Sequence, residues 1–364
     1  AIAAHRAVAS RRRARVAGRG GIGDGGRNVS LRRPDVASHS RTASIVRLPL
    51  PRASPVPRRA SPFAGASALR WSAALAAAAL WGCTAVPPGC TAASVARALP
   101  PLLRETSGAA WSGARRGHWW TLNDSGNAPE LYGFDGTGTL VARVRVAGAT
   151  NRDWEDLAAG PCGDGAGNCL YLADIGDNEA VAGSVDVYRV PEPAPGDTVT
   201  AGAERFRARY PAGSRDAEAL FVLPNARGGV EAYVITKGRR ASIELYRFPL
   251  DAGAARAVTA RDGAVTPTLM RVRELAPIPR EGRDRVTGAG ASPDGRWVAV
   301  RSYGALEIYA RAALLGGGAP AFRASLAGLR EPGGEAVALG GDGRVLLTTE
   351  GRPPMARVLD CGTR

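Results

Sequence analysis

The sequence of 364 residues is poor in lysine and histidine: Lys237 is the single lysine, and only His118 among the histidines lies beyond residue 70. A Ser-His-Asp hydrolase needs a histidine base, and the Gly-x-Ser-x-Gly motif of many such enzymes does not occur. Zinc sites need clustered histidine and cysteine ligands, and no Cys-x-x-Cys pair is present. The phosphate-binding loop and the dinucleotide-binding fingerprint are also missing. These absences leave carboxylates as the groups that could carry out chemistry.

Acidic residues are almost absent from residues 1–70, which contain 15 arginines and no lysine against only Asp24 and Asp35. This segment therefore carries about +13 of the formal net charge of +15. It has no apolar period and cannot bury enough surface to fold. We favour a disordered basic leader or a mistranslated extension over a tail that binds nucleic acid. The rest of the chain is close to neutral and has no basic stripe, so we expect no nucleic-acid partner.

Long apolar runs are also missing, apart from the 12 residues at 71–82 that follow Arg70. This run is too short to span a bilayer but has the length of a signal-peptide core. It leads into Cys83, and the sequence Leu-Trp-Gly-Cys at 80–83 resembles a bacterial lipobox. The open alternatives are lipidation of Cys83, secretion with cleavage nearby, and an uncleaved anchor. All three predict an exported bacterial protein, a cell-envelope lipoprotein or a secreted one, and we expect membrane contact only through a lipid anchor.

Cysteine usage agrees with export, because four cysteines remain if Cys83 carries a lipid. Cys162 and Cys169 flank a Gly-rich turn between two predicted strands, so a disulfide across that hairpin is expected. Cys90 and Cys361 would then pair and join the start of the domain to its end. A metal site is the alternative, and the scarcity of histidine speaks against it.

A fivefold repeat of short strands extends over the chain beyond residue 100. Each repeat begins with a strand that carries an acidic or hydroxyl residue near its start, at Glu105, Glu155, Glu218, Thr287 and Glu335. Gly/Pro/Asp turns and further strands follow each start. Repeated units of several strands close into a β-propeller. The sequence therefore predicts an all-β propeller domain over residues 91–364, whose first strands line a central channel.

We identify five blades, with six left open if residues 191–216 or 249–285 contain another. The fifth unit lacks its outer strand at the C-terminal end of the chain. Residues 94–101 resemble the outer strand at 270–277 and would supply it, so that the ring closes with a blade built from both chain ends. Four third strands share a tyrosine that we interpret as packing between blades with its hydroxyl satisfied locally. These are Tyr132, Tyr188, Tyr246 and Tyr309.

Several ordered motifs resemble a group of exported bacterial β-propeller proteins, most of them uncharacterised, which are distantly similar to the phytase-like and SdiA-regulated propellers. The motifs are Asn-Asp-Ser-Gly at 123–126, Asn-Arg-Asp-Trp-Glu-Asp-Leu at 151–157, Ala-Asp-Ile-Gly-Asp-Asn at 173–178, Tyr-Arg-Val-Pro-Glu-Pro at 188–193, Asp-Ala-Glu-Ala-Leu at 216–220 and Ser-Pro-Asp-Gly-Arg at 292–296. The resemblance covers roughly residues 100–360. It implies a five- or six-bladed ring, export and, in some members, calcium at an acidic mouth. No phytase phosphate-clamp signature is present, so the resemblance does not extend to phytase activity.

Polar residues at the strand ends should converge at one mouth of the channel, because a propeller repeats each position around its axis. The predicted mouth residues lie at the starts of first strands and the ends of second strands: Glu105, Asp124, Glu155, Asp174, Glu218, Lys237, Arg301, Glu335 and Glu350. Carboxylates this close raise one another's pKa unless a cation neutralises them. Ca²⁺ suits such oxygen donors. As its ligands we predict Glu155, Asp174, Asp177 and Asn178.

Two functions remain open at this stage. The first is a binding or scaffold module whose acidic mouth holds Ca²⁺, a small ligand or a partner protein, and we expect it to be a monomer. The alternative is a hydrolase that uses carboxylates on glycans or, with calcium, on phosphoesters. Trp119, Trp120 and Trp154 could then stack sugars. The carboxylates could also simply pin neighbouring blades, and we expect Asp153 and Asp156 to be turn residues exposed to solvent.

Overall fold

Five antiparallel sheets make up most of the chain that the computed structural model describes, namely residues 90, 92–93, 97–163, 167–251, 254–255 and 265–360. Each sheet is one blade, and strands that follow one another along the chain are neighbours within it. The predicted five-bladed propeller is confirmed, and the described residues contain no sixth blade. Within these ranges no helix has the length and apolar character needed to cross a membrane.

The strands are distributed over the blades as follows. Before the first blade lie β1 (Ala92–Ala93), β2 (Arg97–Ala98) and a 3₁₀ turn (Pro101–Leu103). Blade 1 contains β3 (Thr106–Trp111), β4 (Trp119–Asn123), β5 (Glu130–Phe134) and β6 (Leu140–Arg145). Blade 2 contains β7 (Trp154–Pro161), β8 (Asn168–Asp174), β9 (Val185–Pro191) and β10 (Glu204–Ala208). Blade 3 contains β11 (Ala217–Pro224), β12 (Val230–Thr236), β13 (Ile243–Phe248) and β14 (Met270–Ala276).

The last two blades complete the ring. A 3₁₀ turn (Gly282–Asp284) leads into blade 4, which contains β15 (Val286–Ala291), β16 (Trp297–Ser302), β17 (Ala305–Ala310), the short helix α1 (Arg311–Gly316) and β18 (Phe322–Ser325). A further 3₁₀ turn (Ala327–Leu329) precedes blade 5, which contains β19 (Gly334–Leu339), β20 (Arg344–Thr349) and β21 (Met355–Asp360).

Both ends of the described chain build the fifth blade. β1 and β2 pair antiparallel with β21, with Ala92 opposite Asp360 and Arg97 opposite Ala356. The N-terminal segment thus supplies the missing outer strand, as the sequence predicts. Pairing of this kind covers a sheet edge that would otherwise be free to pair with another chain.

The turn between β7 and β8 carries a disulfide between Cys162 and Cys169, as predicted. Cys90 is also disulfide-bonded. Its predicted partner Cys361 lies outside the described residues, and so do Cys83, the apolar run at 71–82 and the basic N-terminal segment. The pairing of Cys90 with Cys361 and the lipidation of Cys83 therefore stay predictions.

Apolar side chains fill the spaces between neighbouring blades. One hydrophobic cluster lies in each of the five spaces, with residues from both facing sheets. Between blades 1 and 2, for example, Trp120 and Leu131 pack with Trp154 and Tyr188. Trp119 is buried as well, at 4% exposure, so the three tryptophans considered for sugar stacking are core residues. Burial on both faces explains why the second strands, such as Arg-Val-Leu-Leu-Thr-Thr in β20, show no strict polar alternation.

The third-strand tyrosines pack between blades, which confirms their interpretation from the sequence. In three blades the hydroxyl donates to the carboxylate two residues earlier in the same strand: Tyr132 to Glu130 at 2.8 Å, Tyr246 to Glu244 at 2.7 Å and Tyr309 to Glu307 at 2.7 Å. Arginines on the outer strands bind the same carboxylates. The tyrosine is therefore a local structural element rather than a ligand-binding group.

The first strands form a closed inner ring, in which β3 lies beside β7, β7 beside β11, β11 beside β15, β15 beside β19, and β19 beside β3. Neighbouring strands of this ring approach very closely. At Gly290 an added Cβ would lie 2.6 Å from the carbonyl oxygen of Val337, so only glycine fits there. The ring fixes the positions of every side chain at the start of the first strands.

Asp156 joins three strands of the inner ring. Its Oδ1 accepts a hydrogen bond from the backbone N–H of Leu157 at 2.8 Å. Its Oδ2 accepts from Leu220 in β11 at 2.8 Å and from Ala289 in β15 at 3.1 Å. The side chain has no exposed surface, so the expectation of a solvent-exposed turn residue is wrong. The carboxylate instead reaches across the channel, where it connects blades 2, 3 and 4.

We predict that Asp156→Ala lowers the free energy of unfolding by about 3 kcal/mol or more, because it leaves three buried N–H groups without an acceptor. Asp156→Asn should lose less, since one acceptor oxygen remains. Urea unfolding followed by tryptophan fluorescence would measure both. Glu281→Ala, which removes a carboxylate with 58% side-chain exposure, is the control and should change stability by no more than about 0.5 kcal/mol. Equal stability of Asp156→Ala and the wild type would contradict the connecting role.

Candidate functional site

Each first strand has a β-bulge near its start, and the first residue of the bulge faces the channel mouth. These residues are Ser107, Glu155, Glu218, Thr287 and Glu335, and all five are buried. A bulge leaves one residue outside the ladder and re-aims its side chain. Three carboxylates and two hydroxyls therefore form an inner ring of the mouth. The hydroxyls bind the neighbouring blade: Ser107 donates to the Glu155 carbonyl at 2.6 Å, and Thr287 to the Glu335 carbonyl at 2.9 Å.

Glu105 does not belong to this inner ring, although the sequence repeat placed it there. It precedes β3, is exposed, and accepts a hydrogen bond from Asn127 at 2.6 Å. Its equivalent in blade 2 is Asp153, because each of these residues directly precedes the first paired residue of its blade. The repeat in blade 1 is displaced by two residues, and Ser107 takes the place that we assigned to Glu105.

A second ring consists of the residue that follows each second strand. Its members are Asp124, Ile175, Lys237, Tyr303 and Glu350. Their position is fixed by the ladders, which end at the preceding residue in every blade. Asp124, Lys237 and Glu350 occupy this ring as predicted. The predicted Asp174 lies one residue before the ring position of blade 2, and the predicted Arg301 lies two residues before that of blade 4, so neither is a member.

Arg301 lies between blades 4 and 5 and has no exposed surface. Its Nη1 donates to the carbonyl oxygens of Ala336 and Thr348, each at 2.9 Å, and its Nη2 pairs with Glu331. These bonds occupy the guanidinium on the side of blade 5. The prediction that Arg301 faces the mouth is therefore wrong, because strand alternation directs its side chain towards the neighbouring blade.

The four predicted metal ligands do not form one group. Asp174 is buried, and its Oδ1 accepts the backbone N–H of Asp153 at 2.9 Å. Asp177 accepts two backbone N–H groups in the loop that follows β8, at 2.9 and 2.8 Å. Asn178 accepts a hydrogen bond from Arg239. Of the predicted set, only Glu155 belongs to a carboxylate cluster in the mouth.

The residues that do come together are Asp124, Asp153 and Glu155, each with a carboxylate oxygen within 4.8 Å of the others. Asp153 and Glu155 converge over Gly176, where an added Cβ would overlap Glu155 Oε1 and the Asp153 carboxylate. Glu155 is 4% exposed, whereas Asp124 and Asp153 are half-buried. The cluster therefore has a buried floor and an open side towards the mouth.

The segment Asn-Arg-Asp-Trp-Glu-Asp at 151–156 builds most of this cluster. Asn151 donates to the backbone carbonyl of Asp124 at 2.8 Å and accepts the N–H of Trp154 at 3.1 Å, which holds the end of β4 against the start of β7. Trp154 fills the space between blades 1 and 2. Because side chains alternate along a strand, Asp153 and Glu155 share the face that Trp154 does not use.

Burial and mutual repulsion raise the pKa values of the mouth carboxyls. Burial, aided by the charge of Asp124, raises the pKa of Asp153 to about 6. Burial, then Glu218 and Asp124, raise the pKa of Glu155 well above its usual range. The pKa of Asp124 is raised as well, chiefly by burial. The same two causes act on Glu335, where Glu218 is the first of the charged neighbours.

Lys237 and Glu218 form an ion pair in the mouth. Burial opposes the charge of Lys237, but Glu218, Tyr303 and Glu155 together outweigh burial and raise the lysine pKa. Burial raises the pKa of Glu218 to about 8 even though Lys237 acts in the opposite direction. Tyr303 adds a phenol whose pKa is raised by burial and by Glu335. One cation thus faces several carboxyl groups.

Asp216 adds a carboxylate oxygen that lacks a partner. Its Oδ1 accepts the backbone N–H of Asp177 at 3.3 Å, whereas Oδ2 is buried without a hydrogen bond. The charge of Asp216 contributes to the raised pKa values of Asp153 and Glu218. Sequence reasoning missed Asp216, Asp153, Ser107 and Tyr303. The spacing of two residues between Asp153 and Glu155 could have identified Asp153, because alternate residues of a strand share a face. Ser107 is positioned by a bulge and Tyr303 by the end of a strand, and neither leaves a specific mark in the sequence.

No protein-family model and no curated protein matches the sequence, so the resemblance to phytase-like and SdiA-regulated propellers stays a prediction. Among solved structures, a glucose dehydrogenase is 14% identical and covers 74% of this chain and 100% of its own, with a TM-score of 0.42. The soluble aldose sugar dehydrogenase of Escherichia coli, in its apo form, is 11% identical, with 73% and 99% covered and a TM-score of 0.40. A calcium-binding protein, regucalcin, from Agrobacterium tumefaciens is 15% identical, with 73% and 93% covered and a TM-score of 0.39. The assignment of the fold rests on the five sheets themselves.

We predict that, with a chelator present, the melting temperature falls by several degrees between pH 5 and pH 8. A raised carboxyl pKa means that the folded state binds the proton more tightly than the unfolded state. The stabilisation of the folded state by protonated Asp153 is therefore fully present below its ordinary pKa of 3.8 and is lost as the pH rises through about 6. Asp153→Asn should flatten this dependence, and Asp197→Asn, in a turn after β9, should not. A wild-type melting temperature that rises over this interval would show that the ionised mouth carboxylates do not destabilise the folded state.

Proposed function

We propose that this protein is an exported binding module that holds a divalent cation, Ca²⁺, in the carboxylate cluster of its mouth. The observation that carries the proposal is the convergence of Asp124, Asp153 and Glu155 within 4.8 Å. Among the described residues no lysine or arginine forms an ion pair with any of the three. A cation would relieve the repulsion that raises their pKa values.

The chemistry of the donors favours calcium. Three carboxylates supply hard oxygen ligands, and Ca²⁺ accepts six to eight of these in flexible geometry. Asp216, whose charge acts on Asp153, has a buried Oδ2 without a hydrogen-bond partner and is a further oxygen acceptor of the mouth. Histidine and cysteine are absent from the cluster, so its donor set does not suit zinc. Three carboxylates and a bound Ca²⁺ would leave only a small net charge.

Binding is better supported than hydrolysis. The tryptophans that could have stacked sugars are buried in the core. Arg301 is bound to blade 5 and Lys237 to Glu218, so neither is free to hold a phosphate group. The mouth therefore offers a cation site with a carboxylate-rich rim, to which a small ligand or a partner protein could bind through the metal.

Export and a monomeric state are parts of the same proposal. The disulfide between Cys162 and Cys169 supports an oxidising compartment, since such bonds are rare in the cytosol. Lipidation of Cys83 would add the only membrane contact. Mass spectrometry of the protein isolated from its native cells would test this, because a diacylglycerol modification at Cys83 would mark both the mature start and the anchor.

We predict that millimolar Ca²⁺ raises the melting temperature of the oxidised full-length protein by several degrees and that a chelator reverses the shift. If the ion is present at a hundredfold excess over its Kd, the gain in stability is about 2.7 kcal/mol. Glu155→Gln and Asp153→Asn should each remove most of the shift, because each removes a ligand. Glu105→Gln, an exposed acid outside the cluster, is the matched control and should keep it. A full shift in both cluster variants would mean that calcium binds elsewhere.

We further predict that Gly176→Ala weakens calcium binding while leaving every carboxylate in place. The added methyl group would occupy the space in which Asp153 and Glu155 converge, so the two side chains must separate. Isothermal titration with Ca²⁺ should show at least a tenfold increase in Kd, roughly 1.4 kcal/mol. Gly183→Ala, at a glycine with open space around it in the same loop, is the control. Unchanged affinity in Gly176→Ala would exclude Asp153 and Glu155 as joint ligands.

A further inference from the structure

A cavity of about 900 Å³ opens on the mouth face between blades 3 and 4. Its walls are the start of β13 at Ile243, the end of β14, the start of β15 at Val286, the end of β16 at Val300, and β17 at Tyr309. It lies radially outside the carboxylate cluster, and none of the cluster residues lines it. Its volume falls in the range of about 300–1,000 Å³ that is typical of small-molecule sites.

The internal repeat shows what fills the corresponding space elsewhere in the ring. In blade 2 the third-strand Tyr188 contacts the ring of Trp154, with 6.1 Å between centroids. In blade 3 the equivalent Tyr246 contacts Tyr210 edge to face at 5.1 Å. In both blades an aromatic side chain lies between the tyrosine and the preceding blade. The space therefore accepts an indole or a phenol when the chain supplies one.

Blade 4 supplies no such ring. Val286 is the register equivalent of Trp154, since each is the last paired residue before the bulge of its first strand. Within the part of the chain that the structure describes, no aromatic ring contacts Tyr309. Val286 and Tyr309 both line the cavity, so it includes the place that an aromatic side chain takes in blades 2 and 3.

The lining indicates an uncharged occupant. Ile243, Val286 and Val300 form a buried apolar floor, each at most 6% exposed. The charged lining residues lie at the rim: Arg280, Glu281 and Asp284 are exposed, and Glu307 is already bound by the Tyr309 hydroxyl at 2.7 Å and by Arg323 at 3.4 Å. Burying a charge against the apolar floor would be costly without a partner there. An apolar ring with at most a polar edge fits both regions.

We propose that this cavity is a binding site for a small, neutral aromatic molecule, whose ring replaces the side chain that blades 2 and 3 provide themselves. Edge-to-face contact with Tyr309 would repeat the contact between Tyr210 and Tyr246. The site is separate from the cation cluster, and it stands whether or not calcium binds in the mouth.

The test uses the full-length protein and N-phenyl-1-naphthylamine, a neutral aromatic probe whose fluorescence rises in apolar surroundings, with indole as competitor. We expect saturable binding of one probe per chain, displacement by indole, and a loss of affinity of roughly tenfold or more in Val286→Trp. The tryptophan introduced at position 286 would occupy the part of the cavity beside Tyr309, as Trp154 occupies the space beside Tyr188. Val181→Trp places the same change at a residue with 78% exposure and should bind the probe like the wild type.

Three results would overturn the proposal. They are absence of saturable binding to the wild type, failure of indole to compete, and unchanged affinity in a folded Val286→Trp. If Val286→Trp does not fold, Ala305→Phe narrows the cavity from β17 and is judged by the same criterion. Glu155→Gln should leave probe binding unchanged, which separates this site from the mouth.

Discussion

The carboxylate of Asp156 is the interaction on which the geometry of this propeller depends. A ring of five first strands has no side chain at its centre unless one blade sends a group across the axis. Asp156 does so by accepting N–H groups from its own strand, from β11 and from β15. These bonds fix the positions of three blades relative to one another along the channel axis. The bulge residues next to them, Glu155 and Glu218 included, are therefore held at one level of the mouth.

This arrangement concentrates acidic groups at a cost in stability. Burial raises the pKa of Asp156, and the backbone N–H groups oppose that rise. Nearby Glu155 has no such set of donors, and its pKa is raised further by Glu218. Lys237 compensates for one of these charges through its ion pair with Glu218. Repulsion remains around the mouth, including at Glu335 in blade 5. The carboxylates converge most closely at blades 1 and 2, where a cation would gain most by binding, so the pH dependence and calcium binding should be linked.

The blades, their number and the closing strand could be predicted because they depend on local signals: turns, alternation and the tyrosine of the third strand. The mouth was harder, since membership of a ring depends on register to a single residue. Bulges displace that register without a sequence mark, so Ser107 was missed. Arg301 was misplaced because the end of β16 was aligned too early, and its side chain alternates towards blade 5. The role of Asp156 could not be found by reading along the chain, because two of its three donors come from strands 64 and 133 residues away.

The two candidate binding sites lie where the blades differ from one another, not where they repeat. Blade 4 contributes Thr287 and Tyr303 to the two rings of the mouth and is the one blade that adds no carboxylate to either ring. The same blade carries Val286 where blade 2 carries Trp154, which leaves the apolar cavity beside Tyr309. A propeller retains its fold when one blade loses these groups, because the inner ring is held by backbone contacts and by Asp156. Blade 4 therefore keeps its place in the ring although the space beside Tyr309 is open.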